Sequence, residues 1–312
     1  MFNLTNQIKS FLEHCEFNKK LSAKTIRAYS IDLEQYSVFS CNNLSRECLL
    51  KYITSLHKQY KPKTVKRKIA CLKAFTGYLV FEEIIEVNPF TKIKSSFKEP
   101  LMLPKTIPIE TIQRLLNSVY GLLEVAQLTS YRRKEALRDA AVLELLFATG
   151  ARVSEVCNLK KCNVDLVAHT VKILGKGNRE RIIQIENPDV LQTLSSYYLA
   201  FKDDIEGTGW FFINRLHKRL SEESVRSMIV KHAKAINYTE HITPHMFRHS
   251  FASFLLEEDV DIRYIQRLLG HSSITTTEIY THVSSAKQKE ILATRHPRNR
   301  IVVSVESLET LP

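Results

Sequence analysis

A proline-rich segment without helical periodicity divides this chain of 312 residues into two unequal parts. Between Asn88 and Pro108 the sequence contains four prolines and no regular apolar spacing. Proline lacks a backbone N–H and disfavours a helical conformation in the residue before it, so such a segment suits an extended connection. We predict two domains, residues 1–97 and 109–298, with a linker at 98–108 and a C-terminal tail at 299–312.

The first part has the apolar spacing of four helices. Apolar residues recur every three or four positions in Asn3–Cys15, after Ser22, after Ser45 and from Pro62 onward. Serine side chains accept hydrogen bonds from the first backbone N–H groups of a helix, and proline fits the first helical turn. These signals predict a small helical domain.

Positive charge is concentrated in this helical domain. The chain has a net charge of +12, and residues 1–99 contain 17 Lys and Arg against 9 Asp and Glu. A helix with one apolar and one basic face can lie along a phosphate backbone while it packs on its own domain. Such a face is also common on solvated helices. The candidate DNA contacts are Lys24 and Arg27 on the second helix and Lys63, Lys66, Arg67 and Lys68 on the fourth.

The second part is built around a helix that is apolar on nearly all sides. Arg138–Ala148 predicts a buried central helix, and Gly150 suits the left-handed position that ends it. This turn would present Arg152 at the start of the next helix. Glu155 follows three residues later, so it shares a face with Arg152. The preceding stretch, Gly121–Glu135, looks irregular and suggests no function.

The rest of the second part predicts one hairpin among helices. β-branched residues in His169–Leu174 and Arg181–Ile185 flank a glycine-rich turn, which is typical of a hairpin. Thr243 and Pro244 mark the start of a helix. Further helices are predicted at Ile109–Tyr120, Glu222–Ile236, Asp261–Leu269 and Ile274–Val283. The expected fold is mainly α with a small β-sheet.

Six side chains suited to phosphoryl transfer occur in this second part. A phosphodiester under attack gathers negative charge, which paired guanidinium N–H groups can bind in a planar geometry that lysine does not reproduce. Histidines can donate hydrogen bonds or move protons, a lysine can protonate the departing oxygen, and a tyrosine can attack phosphorus. The candidates are Arg152, Lys176, His245, Arg248, His271 and Tyr280.

The order and spacing of four motifs around these residues resemble the tyrosine recombinases of the integrase superfamily, especially the Xer-type and small mobile-element integrases. The motifs are Thr149–Val156, Gly175–Arg181, Thr243–Ala252, and Leu269–Ser273 followed by Ile279–His282. Any one of them could occur by chance, whereas four in order make a specific signal.

This resemblance implies a two-domain DNA clamp, with a helical core-binding (SAM-like) domain and a mixed α/β catalytic domain. It implies that Tyr280 forms a 3′-phosphotyrosyl bond with DNA, that Lys176 is the general acid, and that Glu155 supports the arginines. No cofactor or metal would be required. The partners would be a double-stranded recombination site and three further copies of the chain, with or without a partner recombinase.

Other classes of function fit less well. A type IB topoisomerase or a resolvase would share the chemistry, and a catalytically silent accessory factor would share the DNA binding. A metal-dependent nuclease would need clustered carboxylates, which the sequence does not suggest. The six cysteines have no zinc-ligand spacing, and the first residues resemble neither a leader nor a membrane span, so we expect a cytoplasmic protein. The target DNA, the biological task and the docking of the tail in cis or trans stay open.

Overall fold

The computed structural model of the chain describes residues 3–40, 43–95, 97, 105–125, 129–175, 180–270 and 285–302, with 285–288 described by their backbone. The chain divides into two compact units, Met1–Met102 and Leu103–Pro312. Each unit has its own hydrophobic core. The finer bounds predicted for the domains, the linker and the tail stay predictions.

The first unit contains the four predicted helices: α1 (Leu4–Phe17), α2 (Ala23–Ser40), α3 (Arg46–Gln59) and α4 (Pro62–Phe81). The Ser22 hydroxyl accepts a hydrogen bond from Thr25 N, and the Ser45 hydroxyl caps α3 through Cys48 N at 3.3 Å. Pro62 occupies the first turn of α4. These serines and this proline therefore mark the starts of α2, α3 and α4, as the sequence indicates.

One basic residue of α4 does not lie on the outer face that the sequence suggested. Lys68 is only 3% exposed, because its ammonium group donates to Asp32 at 2.8 Å and also to Gln35, both on α2. Arg67 pairs with the same carboxylate while its side chain stays about half exposed. Asp32 itself is buried and requires such compensation. Lys68 is therefore a brace between α2 and α4 rather than part of an exposed basic face.

The second unit is mainly helical, as predicted, and the described part includes a small sheet. Its helices are α5 (Ile109–Glu124), α6 (Ser130–Thr149), α7 (Val153–Cys157), α8 (Pro188–Ala200), α9 (Lys202–Thr208), α10 (Glu222–Ala235), α11 (Pro244–Glu257), α12 (Ile262–Leu269) and α13 (Ser285–Arg295). None of the helices in the described ranges is both long and apolar enough to cross a membrane.

The predicted hairpin is present and belongs to a three-stranded antiparallel sheet. The strands β1 (Val164–Asp165), β2 (Thr170–Leu174) and β3 (Glu180–Gln184) lie in the order β1-β2-β3. Leu174 pairs with Glu180, so the two strands meet at the glycine-rich turn. The short strand β1 was not predicted, since two residues carry no detectable alternation.

Helix α6 is the central helix of the second unit. Nearly every residue from Ala136 to Thr149 is buried, and the helix packs against α5, α8 and α11. It is longer than predicted because Thr129 caps it, accepting a hydrogen bond from Arg132 N. The stretch 121–135, interpreted as irregular, is therefore the end of α5 and the start of α6, with residues 126–128 outside the description.

Helices α8 and α9 were not predicted from the sequence. Helix α8 has clear start signals, because the Asn187 side chain accepts a hydrogen bond from Val190 N and Pro188 lies in the first turn. The predicted helix Ile274–Val283 lies outside the described residues.

A buried ion pair fixes the C-terminal part of the chain to α6. Arg298 and Glu144 are both fully buried, and the guanidinium donates to the two carboxylate oxygens at 2.8–3.0 Å. Tyr120 donates a further hydrogen bond to Glu144 at 2.8 Å. Arg298 also donates to Ile301 O at 3.0 Å. Each charge thus has several partners, which a pair removed from water requires.

The residues after α13 fold back on their own unit as far as the structure describes them. Ile301 is buried, and Gln113 on α5 donates to Val302 O at 2.8 Å. His296 is also buried, where it donates from Nε2 to Ala148 O at 2.8 Å and accepts from Arg298 N at 2.9 Å. The tail therefore begins in cis, whereas residues 303–312 lie outside the described residues.

His296 should make the stability of the second unit depend on pH. Burial lowers its pKa to about 4, against roughly 6.5 for an exposed histidine. Because the pKa is lower in the folded state, this contribution is fully present above about pH 6.5 and is lost as the pH falls toward 4. His296→Gln keeps an N–H donor that does not titrate.

Between pH 6.5 and 4.5 the free energy of unfolding should fall about 2–3 kcal/mol more in the unchanged protein than in His296→Gln. The variant should be less stable at pH 7, because the ring contacts with Phe147 and Phe251 are lost. Urea unfolding followed by the fluorescence of Trp210, the one tryptophan, reports on this unit. Parallel pH profiles would refute this role for His296.

Gly150→Ala should destabilise the second unit by about 2–4 kcal/mol, from backbone strain and overpacking together. Gly150 has a φ of +57°, and an added Cβ would lie 2.6 Å from Phe251 Cδ1 and 2.8 Å from Leu269 Cδ2. Gly121→Ala on α5 is the matched control, since its Cβ would meet nothing within 4 Å. The same Trp210 unfolding assay compares them, and equal midpoints would contradict the tight turn.

Candidate active site

The turn between α6 and α7 presents Arg152 as predicted. Helix α6 ends at Thr149, Gly150 adopts the left-handed conformation, and Arg152 occupies the cap position before α7. The Thr149 hydroxyl accepts a hydrogen bond from Ala151 N at 3.2 Å, which fixes the turn further. The Arg152 side chain remains about one-third exposed. The backbone of Arg152 is therefore fixed by the turn, while part of its guanidinium group remains accessible to solvent.

Glu155 lies against Arg152, as its spacing indicates, and accepts hydrogen bonds from several donors. It accepts from Arg152 N at 2.9 Å and from Arg152 Nη1 at 2.8 Å. The carboxylate is only 5% exposed. Burial by itself would raise the pKa of Glu155, but hydrogen bonds from Arg181 and Arg152 more than offset it and lower that pKa. Glu155 is therefore a buried carboxylate that stays charged.

Arg248 on α11 joins the ends of two other helices. Its Nη1 donates to Gly150 O at 2.9 Å and its Nη2 donates to Leu269 O at 2.7 Å, and the residue is 5% exposed. Burial first, and then repulsion from Arg152, lower its pKa to about 10. It still carries a charge near neutral pH. Among the described residues its hydrogen bonds go to carbonyls, which do not neutralise it, although the nearby Glu155 carboxylate favours its charge.

His245 lies on the same helix, three residues before Arg248, and is exposed. Pro244 occupies the first turn of α11, as predicted, but the Thr243 side chain makes no capping hydrogen bond. His249, one turn after His245, is also exposed as a whole. Partial burial of its ring lowers its pKa, and the charges of His245 and Arg248 lower it further. The structure thus brings His245, Arg248 and Arg152 to one region of the second unit.

Lys176, His271 and Tyr280 lie outside the described residues, so their roles stay predictions. The positions that lead to them are described. Gly175 follows the end of β2, and β3 resumes at Glu180. Gly270 ends α12 with a φ of +64°, immediately before His271, and Leu269 O is the carbonyl that Arg248 contacts.

Arg181 on β3 is a member of this cluster that sequence reasoning missed. Its Nη2 donates to Glu155 Oε2 at 2.7 Å and its Nη1 to Oε1 at 3.3 Å, and its side chain is 10% exposed. The sequence contained one signal, since Arg181 closes the motif that includes Lys176. Nothing local indicated that its partner lies 26 residues earlier.

The other basic candidates belong to the first unit. Lys24 and Arg27 on α2 are exposed, as are Lys63, Lys66 and Arg67 on α4. Lys68 is buried, as described above. The α2–α4 brace through Asp32 holds these two helices in a fixed register.

Chemically, the cluster in the second unit suits the binding of a phosphate group. Among the described residues, the guanidinium groups of Arg152 and Arg181 pair with the Glu155 carboxylate, and the charge of Arg248 interacts with all three. The excess positive charge lies at partly buried positions, where solvent screening is weak. Such fixed donors can stabilise charge that develops on phosphate oxygens.

Two family profiles match the chain. Residues 121–287 match the phage integrase family, and residues 8–83 match the phage integrase N-terminal SAM-like domain. Among solved structures, the XerH site-specific recombinase bound to palindromic difH substrate is similar in fold, with a TM-score of 0.69 at 20% identity. That likeness covers 92% of this chain and 84% of the other.

Curated relatives are similar over nearly the whole length. A tyrosine recombinase of Agathobacter rectalis is 50% identical over 96% of this chain and 98% of its own. Tyrosine recombinase XerD of Halalkalibacterium halodurans is 34% identical over 96% of this chain and 100% of its own. With the arginine cluster in place, these matches establish the family: the chain belongs to the phage integrase family of tyrosine recombinases.

Proposed function

We propose that this tyrosine recombinase cuts and rejoins DNA at a specific site by two transesterifications. In the first, the Tyr280 hydroxyl gives its proton to His245 or His271 and its oxygen bonds to the scissile phosphorus, while the bond to the 5′-oxygen breaks and that oxygen takes a proton from Lys176. In the second, the 5′-hydroxyl of a partner strand returns a proton to Lys176 and bonds to phosphorus, while the bond to Tyr280 breaks and the tyrosine oxygen recovers a proton from the histidine. The bond energy is retained in the 3′-phosphotyrosyl link, so neither step needs a nucleotide cofactor or a metal.

The observation that supports this proposal most directly is the hydrogen bonding of Arg248. One of its contacts is the carbonyl of Gly150, two residues before Arg152, and the other is the carbonyl of Leu269, two residues before His271. Arg248 thus joins the chain segments that carry four of the proposed catalytic residues, Arg152, His245, His271 and Arg248 itself. Its other N–H groups are suited to bind the non-bridging phosphate oxygens together with Arg152.

His245 and His271 would complete this arrangement by donating hydrogen bonds or moving protons to and from the reacting oxygens. His245 is well suited because it is exposed on the helix that carries Arg248. Glu155 would orient the Arg152 side chain without contacting DNA, because Glu155 is buried.

The first unit would bind the duplex through exposed basic side chains of α2 and α4. Contacts to phosphates fix position on a duplex without reading its sequence. The contacts proposed are Lys24, Arg27, Lys63, Lys66 and Arg67. Lys68 would act indirectly, by bracing α4 against α2.

The proposed assembly is a homotetramer on two duplex sites, formed in the cytoplasm on DNA. Of the solved lambda integrase structures that share this fold, one is a tetramer bound to a Holliday junction and another is a dimer bound to a core site. The biological task would be resolution of chromosome dimers or integration and excision of a mobile element. A topoisomerase-like or resolvase activity would retain the tyrosine chemistry, whereas a silent accessory factor would not.

Covalent capture on DNA tests the proposal. Purified protein is incubated with sheared genomic DNA of the source organism and denatured, and the DNA that stays attached is sequenced. We expect attachment at a discrete sequence that Tyr280→Phe abolishes while DNA binding persists, because phenylalanine lacks the attacking oxygen. Attachment that survives in Tyr280→Phe would move the nucleophile elsewhere. Absence of attachment in the unchanged protein would favour the accessory reading.

Arg248→Lys should lower the rate of covalent attachment by about 100-fold or more, with DNA affinity nearly unchanged. Lysine keeps the charge and loses the paired planar donors. Because this variant also loses two buried backbone contacts, its unfolding midpoint is measured alongside. Arg152→Lys is the matched variant, since Arg152 is partly exposed and makes no such contacts among the described residues. Its rate of covalent attachment should fall by a similar factor, with a smaller decrease in stability than in Arg248→Lys. Full activity in both variants would exclude an arginine clamp.

A further inference from the structure

The ion pair between Arg181 and Glu155 adjoins Arg152 in the proposed phosphate site. Glu155 contacts Arg152 through Oε1 at 2.8 Å and Arg181 through Oε2 at 2.7 Å. Two cations therefore share one buried carboxylate. If Arg181 were absent, Glu155 would pair with Arg152 alone, and the two charges would largely cancel at the position where a phosphate would bind.

The surroundings of Arg181 make it rigid. It lies on β3, where Ile173 of β2 is its paired residue. It also lies against the turn that ends α12, because a Cβ placed on Gly270 would be 3.2 Å from Arg181 Nη1 and 3.3 Å from Cδ. Arg181 therefore spans the sheet, α7 and the end of α12. It donates to both oxygens of Glu155, to Oε2 from Nη2 at 2.7 Å and to Oε1 from Nη1 at 3.3 Å, and Arg152 donates to the same two oxygens from its backbone N and its Nη1.

We propose that Arg181 is a positioning residue that neutralises and fixes Glu155, so that Arg152 keeps both its direction and its charge for the scissile phosphate. The inference rests on the function proposed above, in which Arg152 contacts that phosphate. Arg181 acts through Glu155 and needs no contact with DNA. This role explains why a buried carboxylate, which repels phosphate, sits inside a phosphate site: its charge is matched by a second arginine.

Arg181→Met and Lys172→Met are the matched pair that tests this role. Lys172 is also a cation of the hairpin in an ion pair, with Glu180 at 2.7 Å, but its side chain is 41% exposed and does not contact Glu155. The substrate is a synthetic duplex carrying the sequence recovered by covalent capture. We expect the single-turnover rate of attachment to fall at least about tenfold in Arg181→Met and to change less than about twofold in Lys172→Met.

A double-mutant cycle with Glu155→Gln separates charge compensation from general support of the hairpin. Without the carboxylate there is no negative charge for Arg181 to offset, so Glu155→Gln and Glu155→Gln/Arg181→Met should attach to DNA at nearly equal rates. If Arg181 only braced the fold, the two losses would multiply. A multiplicative loss, or an unimpaired Arg181→Met, would overturn the proposal. Should Arg181→Met fail to fold, the comparison within the Glu155→Gln background still decides.

A measurement on the free protein gives a second readout. The carboxyl ¹³C resonance of Glu155, followed by pH titration, should show a higher pKa in Arg181→Met than in Lys172→Met, because the strongest donors to the carboxylate are gone. An equal pKa in both variants would contradict the neutralising contact.

The attachment rates of Arg152→Lys and Arg181→Met separate the role of Arg181 from the proposed function. If Arg152→Lys keeps the full rate, the role proposed for Arg152 is wrong, and this inference falls with it. If Arg152→Lys loses the rate while Arg181→Met keeps it, the clamp stands and only the role of Arg181 is refuted.

Discussion

The hydrogen bonds from Arg248 to two backbone carbonyls are the constraint on which the candidate site depends. Gly150 is 98 residues away in sequence and Leu269 is 21 residues away, yet one guanidinium holds both. A buried arginine normally requires a carboxylate partner. Carbonyl oxygens satisfy its geometry without neutralising it, so the site keeps a positive charge that an anion can use. In the proposed function, the N–H groups of Arg248 that bind a phosphate would thus differ from those that bind the two carbonyls.

The two buried acidic residues of the central helix also depend on specific partners. Glu144 and Asp139 are buried in α6, where an unpaired carboxylate would be costly. Glu144 pairs with Arg298, and Asp139 lies 3.2 Å from the buried His232 of α10 as well as next to Arg138. These polar contacts select particular partners for a helix whose apolar faces would accept many packings.

Sequence reasoning succeeded where the determining interactions are local. Gly150 predicted the end of α6 because left-handed backbone is a property of that residue, and Pro244 predicted the start of α11 for a similar reason. It failed where a partner distant in sequence determines the position of a side chain. Lys68 looked like a surface lysine, but Asp32, 36 residues earlier, draws it inward. Arg181 escaped notice because Glu155 lies on another element, and periodicity cannot register such a contact. The roles proposed for Lys176, His271 and Tyr280 depend on the resemblance of their motifs to those of the family.

The Glu144–Arg298 pair also bears on how the chain is made. Its members are 154 residues apart, so during synthesis the central helix exists for some time without the cation that matches its buried carboxylate. At roughly 5–20 residues per second, that interval lasts on the order of 8–30 seconds. Until Arg298 emerges, Glu144 is better solvated than buried, and complete closure around α6 is unfavourable. The second unit therefore reaches its final packing late, after the whole segment that carries the proposed nucleophile has been synthesised.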